Sequence, residues 1–244
     1  MSPVVSLVLP ALNEVENLEE AVAQARGPLA EIDPDWEIVI VDDGSTDGTG
    51  DLAERLADRD GRIRVVHHAE NRGLGAAVRS GFEAARGTLL IYADSDLPFD
   101  MAALAEAHRV MQATGADLVT GFRTNREVEG PLRHVQSVVY TKLINALLGF
   151  PVRDVNFALK LMRREVAEKA RLTSDGSFID AELVARAKEE GFSMVQFGVL
   201  YTPRVRGEST LARPGVIVEI LRDLTLFRLG RGRRRRQSAA LVSA

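Results

Sequence analysis

The sequence predicts an α/β fold with a mainly parallel central sheet and helices on both of its faces. Two observations carry that expectation. Over the first 120 residues, short apolar segments rich in β-formers alternate with longer amphipathic segments across short gaps. Apolar strands separated by amphipathic helices build a parallel sheet that is covered on both sides. The 244 residues are enough to bury a substantial core as one large α/β domain or two small ones.

The elements follow in order. Val4 to Leu9 is apolar and β-rich, and residues 14–26, EVENLEEAVAQAR, have helical spacing. Glu37 to Val41 is the next strand and Thr46 to Ala57 the next helix; Ile63 to Val66 and Leu74 to Ala85 repeat the pair. Thr88 to Ala93 is a fourth strand, Met101 to Ala113 a helix, and Asp117 to Thr120 a fifth strand. The second half is less regular. Residues 131–149 read as a helix ended near Gly149 and Pro151, Phe157 to Met162 alternates like a strand, and Phe178 to Glu190 is helical. Residues 194–202 read as a strand followed by a loop, PRVRGEST. In residues 216–229, Val216, Ile217, Ile220, Leu221, Leu224 and Phe227 fall on one helical face, with Glu219, Arg222 and Asp223 opposite. The expected organisation is one domain over 1–213, an amphipathic helix at 214–232 and a basic tail at 233–244.

With 45% apolar and 27% charged residues, the composition is that of an ordinary soluble globular protein. A net charge of −4 gives no reason to expect nucleic acid as a partner. Arg228, Arg231 and Arg233 to Arg236 are crowded near the C-terminus, which leaves the rest of the chain acidic. The absence of cysteine excludes disulfides, thiolate chemistry and zinc–thiolate sites. The first stretch, MSPVVSLVLPALNE, lacks a basic n-region and reaches Asn13-Glu14 too soon for a signal peptide. No apolar run is long enough to span a bilayer. The expectation is a cytoplasmic chain, soluble or lying on a membrane surface.

In parallel sheets ligands bind beyond the carboxyl ends of the strands. That puts Pro10 to Glu14, Asp42-Asp43-Gly44-Ser45 and Asp94-Ser95-Asp96 on one rim. VDDGSTDGT, from Val41 to Thr49, turns through Gly44 into a helix that Ser45 or Thr46 is able to cap. Two adjacent carboxylates exceed what a cap needs, and Asp43 is a possible acceptor for a nucleobase N–H. NRGLGAAVRSG, from Asn71, has Gly73 and Gly75 but Val78 where a dinucleotide fingerprint needs a third small residue, and it opens the third helix. Close backbone approach, to another helix or to a nucleotide, explains these glycines equally well. Asp94 and Asp96 end the buried run before them, where a carboxylate is costly without a partner. They read either as caps for the following helix or as a hard-cation site, because one or two carboxylates with substrate phosphate oxygens are the usual way Mg²⁺ or Mn²⁺ is held.

LPALNE, IVIVDDGSTDGT, NRGLGAAVRSGFEAARG, YADSD, GFR, VRDVNFALKLMRREV, FIDAEL and RGEST, in this order, resemble the family 2 glycosyltransferases with the GT-A fold. The resemblance covers residues 4 to 230 and is greatest to the polyprenyl-phosphate, dolichyl-phosphate-mannose-type branch. It implies an inverting transfer of a sugar from a nucleotide-diphospho-sugar to a polyprenyl phosphate acceptor. By the same resemblance, Pro10, Glu14, Asp42 and Asp43 line the donor's base and ribose pocket. Asp94 and Asp96 hold a divalent cation, Mg²⁺ or Mn²⁺, with Ala93 and Ser95 beside the sugar nucleotide. Arg123 and Arg133 grip the acceptor phosphate, and Arg204 closes on the pyrophosphate. Leu12, Pro98 and Thr210 stand where the mannosyl-transferring branch often has Tyr, Gln and Lys, so GDP-mannose and UDP-linked sugars both stay open as donors.

A phosphate acceptor is largely ionised at pH 7, so it needs positioning more than deprotonation. A sugar hydroxyl needs a base. Asp154 and Asp180 are the two candidates; Asp154 matches the family's acceptor-side aspartate, whereas Asp180 also suits a helix start. The C-terminal helix with its arginines reads either as an anchor to an anionic membrane surface or as a helix packed on the body with a basic end. Relatives in the family often append transmembrane helices, so a separate membrane-embedded subunit is a further expected partner. A soluble saccharide or protein acceptor, and a non-catalytic nucleotide-sugar-binding role, are the alternative readings.

Overall fold

A computed structural model describes residues 4–125, 138, 141–142, 144–146, 151–202 and 227. The apolar runs become strands buried on both faces. β1 (Val5–Ala11) and β2 (Trp36–Asp42) are buried along their whole length. They are joined by α1 (Leu18–Ile32) and followed by α2 (Thr49–Arg59), β3 (Ile63–His67), α3 (Leu74–Ala84), β4 (Leu89–Ala93), α4 (Ala102–Thr114) and β5 (Leu118–Arg123). The described second half supplies β6 (Leu159–Arg163), α5 (Arg164–Ala170), α6 (Ile179–Glu189) and β7 (Met194–Val199).

These strands form one seven-stranded sheet in the order β3-β2-β1-β4-β6-β5-β7. β6 runs antiparallel to β4 and β5, and every other pairing is parallel. Strand alternation divides the core into two layers. Leu7, Leu9, Ile38, Ile40, Ile91 and Leu161 point to the side covered by α1, α2 and α4. Val8, Val39, Val41, Leu90, Tyr92 and Met162 point to the side covered by α3, α5 and α6. Helices on both faces of a mainly parallel sheet is the predicted architecture.

α6 is sandwiched. Its outer side, Ala181, Val184 and Ala185, packs on Ile144, Val152, Val155, Phe178 and Phe227. Phe227 meets Phe178 edge-on, with ring centroids 5.7 Å apart. This is the one described residue of the amphipathic stretch 216–229, and it lies against the body. No helix among the described residues is long and apolar enough to cross a membrane.

Two helix boundaries differ from the expectation. α1 begins at Leu18 and runs through Pro28 to Ile32. Residues 15–17 form turns instead, with Glu14 O accepting the N–H groups of Asn17 and Leu18. An interior proline costs a helix about 3 kcal/mol, yet the apolar face Leu18, Ala21, Val22, Ala25 continues to a fully buried Leu29. Packing that face overrides the local cost. α2 begins at Thr49 with Gly48 in the cap position, in the left-handed region at φ 96°. Ser45 and Thr46 do not cap it, because they are committed to the loop after β1.

Candidate active site

Because β1, β2 and β4 are parallel, their carboxyl ends share one edge of the sheet. β6 runs the other way, so its first residue, Leu159, pairs with Ala93 at the end of β4. The segment before β6, with Asp154, therefore reaches the same edge as Asp94 and Asp96. β5 ends there too, at Arg123. The rim brings together Pro10, Glu14, Asp42, Asp43, Ala93, Asp94, Ser95, Asp96, Arg123 and Asp154. Arg133 and Arg204, and residues 228–244, lie outside the described residues.

Hydrogen bonds lace the first two rim loops. The N–H of Asn13 donates to Ser45 Oγ at 2.9 Å, and Asn13 Oδ1 accepts the N–H of Thr46 at 2.9 Å. The N–H of Glu14 donates to Thr49 Oγ1 at 2.8 Å, and Asp47 accepts from Val15 and Thr49. Burial pulls the Asp47 carboxyl upward, but the hydrogen bonds from Thr49 and Val15 outweigh it and hold the group below the usual aspartate value. Asp43 is buried; its own N–H donates to Ala11 O at 2.9 Å. Its carboxylate accepts His68 Nδ1–H at 2.6 Å and the N–H groups of Arg72 and Gly73, each at 2.9 Å. Asp42 faces His67, whose ring bridges Asp42 Oδ2 at 3.0 Å and Glu54 Oε1 at 2.8 Å. The Glu54 hydrogen bond, working against burial and joined by Asp42, raises the His67 pKa. Its charge thus supports the fold below the ordinary histidine value, and that support is lost as pH rises through the raised one.

At the end of β4, the Ser95 hydroxyl donates to Pro10 O at 2.9 Å, which ties the Asp94-Ser95-Asp96 turn to the loop after β1. Asp96 is 8% exposed. Leu97 then takes a left-handed φ of 55°, a conformation that costs a side-chain-bearing residue about 1–2 kcal/mol. Such strain collects where the chain must be re-aimed at a functional site. Beneath the turn, Tyr92 O–H donates to Asp94 Oδ1 at 3.3 Å. Lys160, paired with Tyr92 across β4 and β6, lies 5.4 Å from its ring centroid and forms a buried ion pair with Asp180 at the start of α6. Asp180 is consequently a partner of Lys160. Its carboxyl is pushed up by burial and by Asp154, with Lys160 opposing.

Asp154 is buried and engages Arg123 through both oxygens, at 2.6 Å to Nε and 3.0 Å to Nη2. The guanidinium lies between the rings of Phe157 and Tyr201, 5.9 and 5.4 Å from their centroids. Two residues that sequence reasoning treated separately are thus one fork-shaped pair.

The glycines of the 71–81 segment have a structural cause. A Cβ at Gly73, whose φ is 93°, would stand 2.5 Å from Asp175 O, and one at Gly75 would collide with Ser174 O. The Gly75 N–H donates to Asp175 O at 2.7 Å. The close neighbour is the backbone of the 174–175 loop, where the sequence reading offered another helix or a nucleotide.

Sequence reasoning missed His67, His68, Tyr92 and Lys160. The two histidines had a signal: His67-His68 ends β3 as Asp42-Asp43 ends β2, and Asp42 pairs with His67 in the parallel register.

Residues 6–171 match the family described as glycosyl transferase family 2. The chain is 36% identical over 221 residues to the polyprenol monophosphomannose synthase of Mycolicibacterium smegmatis, covering 84% of this chain and 80% of that protein. It is 35% identical over 227 residues to glycosyltransferase AglD of Haloferax volcanii, covering 89% of this chain but 36% of that protein, so it spans little more than a third of that relative. Its fold is similar to that of glucosyl-3-phosphoglycerate synthase from Mycobacterium tuberculosis in complex with Mn²⁺, uridine diphosphate and phosphoglyceric acid. The TM-score is 0.67 at 24% identity, over 91% of this chain and 78% of that chain. The predicted GT-A fold stands, and the chain belongs to glycosyl transferase family 2.

Proposed function

We propose that this chain transfers a sugar, with inversion, from a nucleotide-diphospho-sugar to a polyprenyl phosphate at a membrane surface. The observation that carries the acceptor class is the 36% identity to a polyprenol monophosphomannose synthase, spread over most of both chains. The rim fits the chemistry. Pro10, Glu14, Asp42 and Asp43, with the Ala93 and Ser95 backbone, line the donor side, and Arg204 closes on the pyrophosphate.

Asp94 and Asp96 would hold a divalent cation, Mg²⁺ or Mn²⁺. Both are carboxylates, the ligands such hard ions take. Among the described residues no group of three or more His, Cys, Asp or Glu is arranged to hold a metal unaided. A two-carboxylate site completed by donor phosphate oxygens is the consistent form. When bound, such an ion stabilises the negative charge that builds on the leaving pyrophosphate.

The acceptor side rests on arginine. Asp154 fixes the orientation of Arg123, so the cation is presented to an incoming phosphate in a preset geometry, and Arg133 adds a second positive group. The phosphate, ionised at neutral pH, attacks without a general base. Asp154 acts here as a positioning residue, because both of its oxygens are taken up by Arg123. The arginines of the C-terminal stretch would add attraction to an anionic leaflet, and a membrane-embedded partner would complete the assembly.

The test measures transfer of labelled sugar into the organic phase with polyprenyl phosphate, with the matching polyprenol, and with soluble saccharides. Removing the phosphate should lower the rate by roughly a hundredfold, the loss expected for charge-assisted contacts. Equal rates with polyprenol, or transfer only to soluble acceptors, would contradict the proposal.

A further inference from the structure

The way Asp43 is held limits which nucleobase it is able to read. A carboxylate offers about four acceptor positions, two on each oxygen. Oδ1 already accepts His68 Nδ1–H and the Arg72 N–H. Among the described residues, Oδ2 accepts only the Gly73 N–H. Oδ1 is therefore full, and Oδ2 keeps a single position.

His68 is not able to swing away and release Oδ1. Its side chain is 4% exposed, its Nε2 sits 2.9 Å from Ser80 Oγ on α3, and its backbone N–H donates to Asp42 O at 2.9 Å. The two backbone donors, Arg72 and Gly73, are fixed by the tight turn into α3.

The bases differ in what they present to such a group. Guanine offers two adjacent donors, N1–H and N2–H, which match a carboxylate with both oxygens available. Against a filled Oδ1, one of those donors would be buried without a partner, at the cost such groups carry. Adenine and cytosine offer a ring-nitrogen lone pair beside their amino group, and that lone pair faces the carboxylate repulsively. Uracil offers one imide N3–H, which suits one free position on one oxygen. We infer that the sugar donor is a nucleotide whose base presents a single imide N–H, uracil or its 5-methyl analogue thymine, and that His68, by filling Oδ1 of Asp43, is the residue that excludes guanine. The inference rests on the reading of Asp43 as part of the donor pocket.

The test is calorimetric binding of UDP and GDP, each with Mg²⁺, to the full chain. The two share the ribose and pyrophosphate, so their difference isolates the base. UDP should bind at least about tenfold more tightly than GDP, the discrimination expected when one buried donor is left unpaired. His68→Leu should reduce that ratio severalfold by freeing a position on Oδ1, and His68→Gln, which still carries an N–H donor, should recover part of it. Equal affinities in the unmodified chain, or tighter GDP, would overturn the inference, as would a ratio unchanged in a folded His68→Leu. If neither nucleotide binds, or if Asp43→Asn leaves UDP affinity unaltered, the donor-pocket reading fails and the inference with it. Should His68→Leu fail to fold, the ratio in the unmodified chain and the Asp43→Asn result still decide.

Discussion

Asp96→Asn should lower sugar transfer by roughly a hundredfold to a thousandfold, the scale on which enzymes lose rate when a group stabilising transition-state charge is removed. The substitution is nearly isosteric, so packing around a residue that is 8% exposed is retained. What changes is charge: an amide is a poor ligand for a hard divalent cation, and a cation that Asp94 and Asp96 would hold to counter the pyrophosphate charge would bind more weakly. The melting temperature should stay within a few degrees, since the change takes one negative charge from a rim that also carries Asp94 and Asp43 and deletes no buried apolar group. Chelation of the unmodified chain should reproduce the loss, and chelation of the variant should add little. Initial rates with and without chelator, alongside thermal denaturation, check all of this. A variant that turns over normally would remove Asp96 from the site.

The second large effect concerns stability. Lys160 and Asp180 are almost completely buried, with side chains 1% and 5% exposed. Removing one partner of such a pair leaves an uncompensated charge in the interior, which costs about 3–5 kcal/mol. For a chain of this size that amounts to a fall in melting temperature of roughly 10 °C. Lys160→Met should show it. The double change Lys160→Met with Asp180→Leu should recover most of the loss, because an apolar pair of similar volume needs no counter-charge. The single variant should also depend on pH in a defined direction. Burial raises the Asp180 carboxyl and Lys160 opposes the rise, so without Lys160 the folded-state value climbs further. A group with a raised folded value adds stability below its unfolded value, and that stability is lost as pH increases through the folded one. The Lys160→Met variant should therefore regain part of its stability in mild acid. A loss independent of pH, or a double variant no better than the single one, would contradict this account.

The fold was legible because it is written in local pattern. β1, β2 and β4 are apolar runs broken inside only by Ser6 and Glu37, and a run buried on both faces has few ways to sit except inside a parallel sheet. The parallel direction in turn places Pro10 to Glu14, Asp43, and the Asp94–Asp96 pair on one edge, so three motifs far apart in sequence could be assembled without coordinates. The misplaced helix starts have a different origin. Ser45 and Thr46 suit a cap by residue type, but Asn13, more than thirty residues earlier, takes them, and no local signal reports that. The first helix, expected to end at residue 26, runs on through Pro28 because the packing of Leu29 that overrides the proline is tertiary.

The supporting groups were harder to see for the same reason. His68 acts on Asp43 across two adjacent strand ends and requires the strand order to be known. Lys160 falls where alternation within β6 allows either a solvated or a buried face; only the register with Tyr92 and the approach of α6 make it an interior cation. Arg123 was legible as a charged group at a strand end, whereas its fork onto Asp154 depends on β6 running antiparallel.

The most direct test of the central claim is the intact mass of the lipid recovered after the purified chain is incubated with Mn²⁺, a short polyprenyl phosphate and a panel of UDP- and GDP-sugars. The account predicts a species heavier than the acceptor by one sugar residue, formed from a UDP-linked donor and missing when Asp96→Asn replaces the unmodified chain. An acceptor recovered unchanged with every donor, under conditions where UDP binds, would contradict transfer to a polyprenyl phosphate.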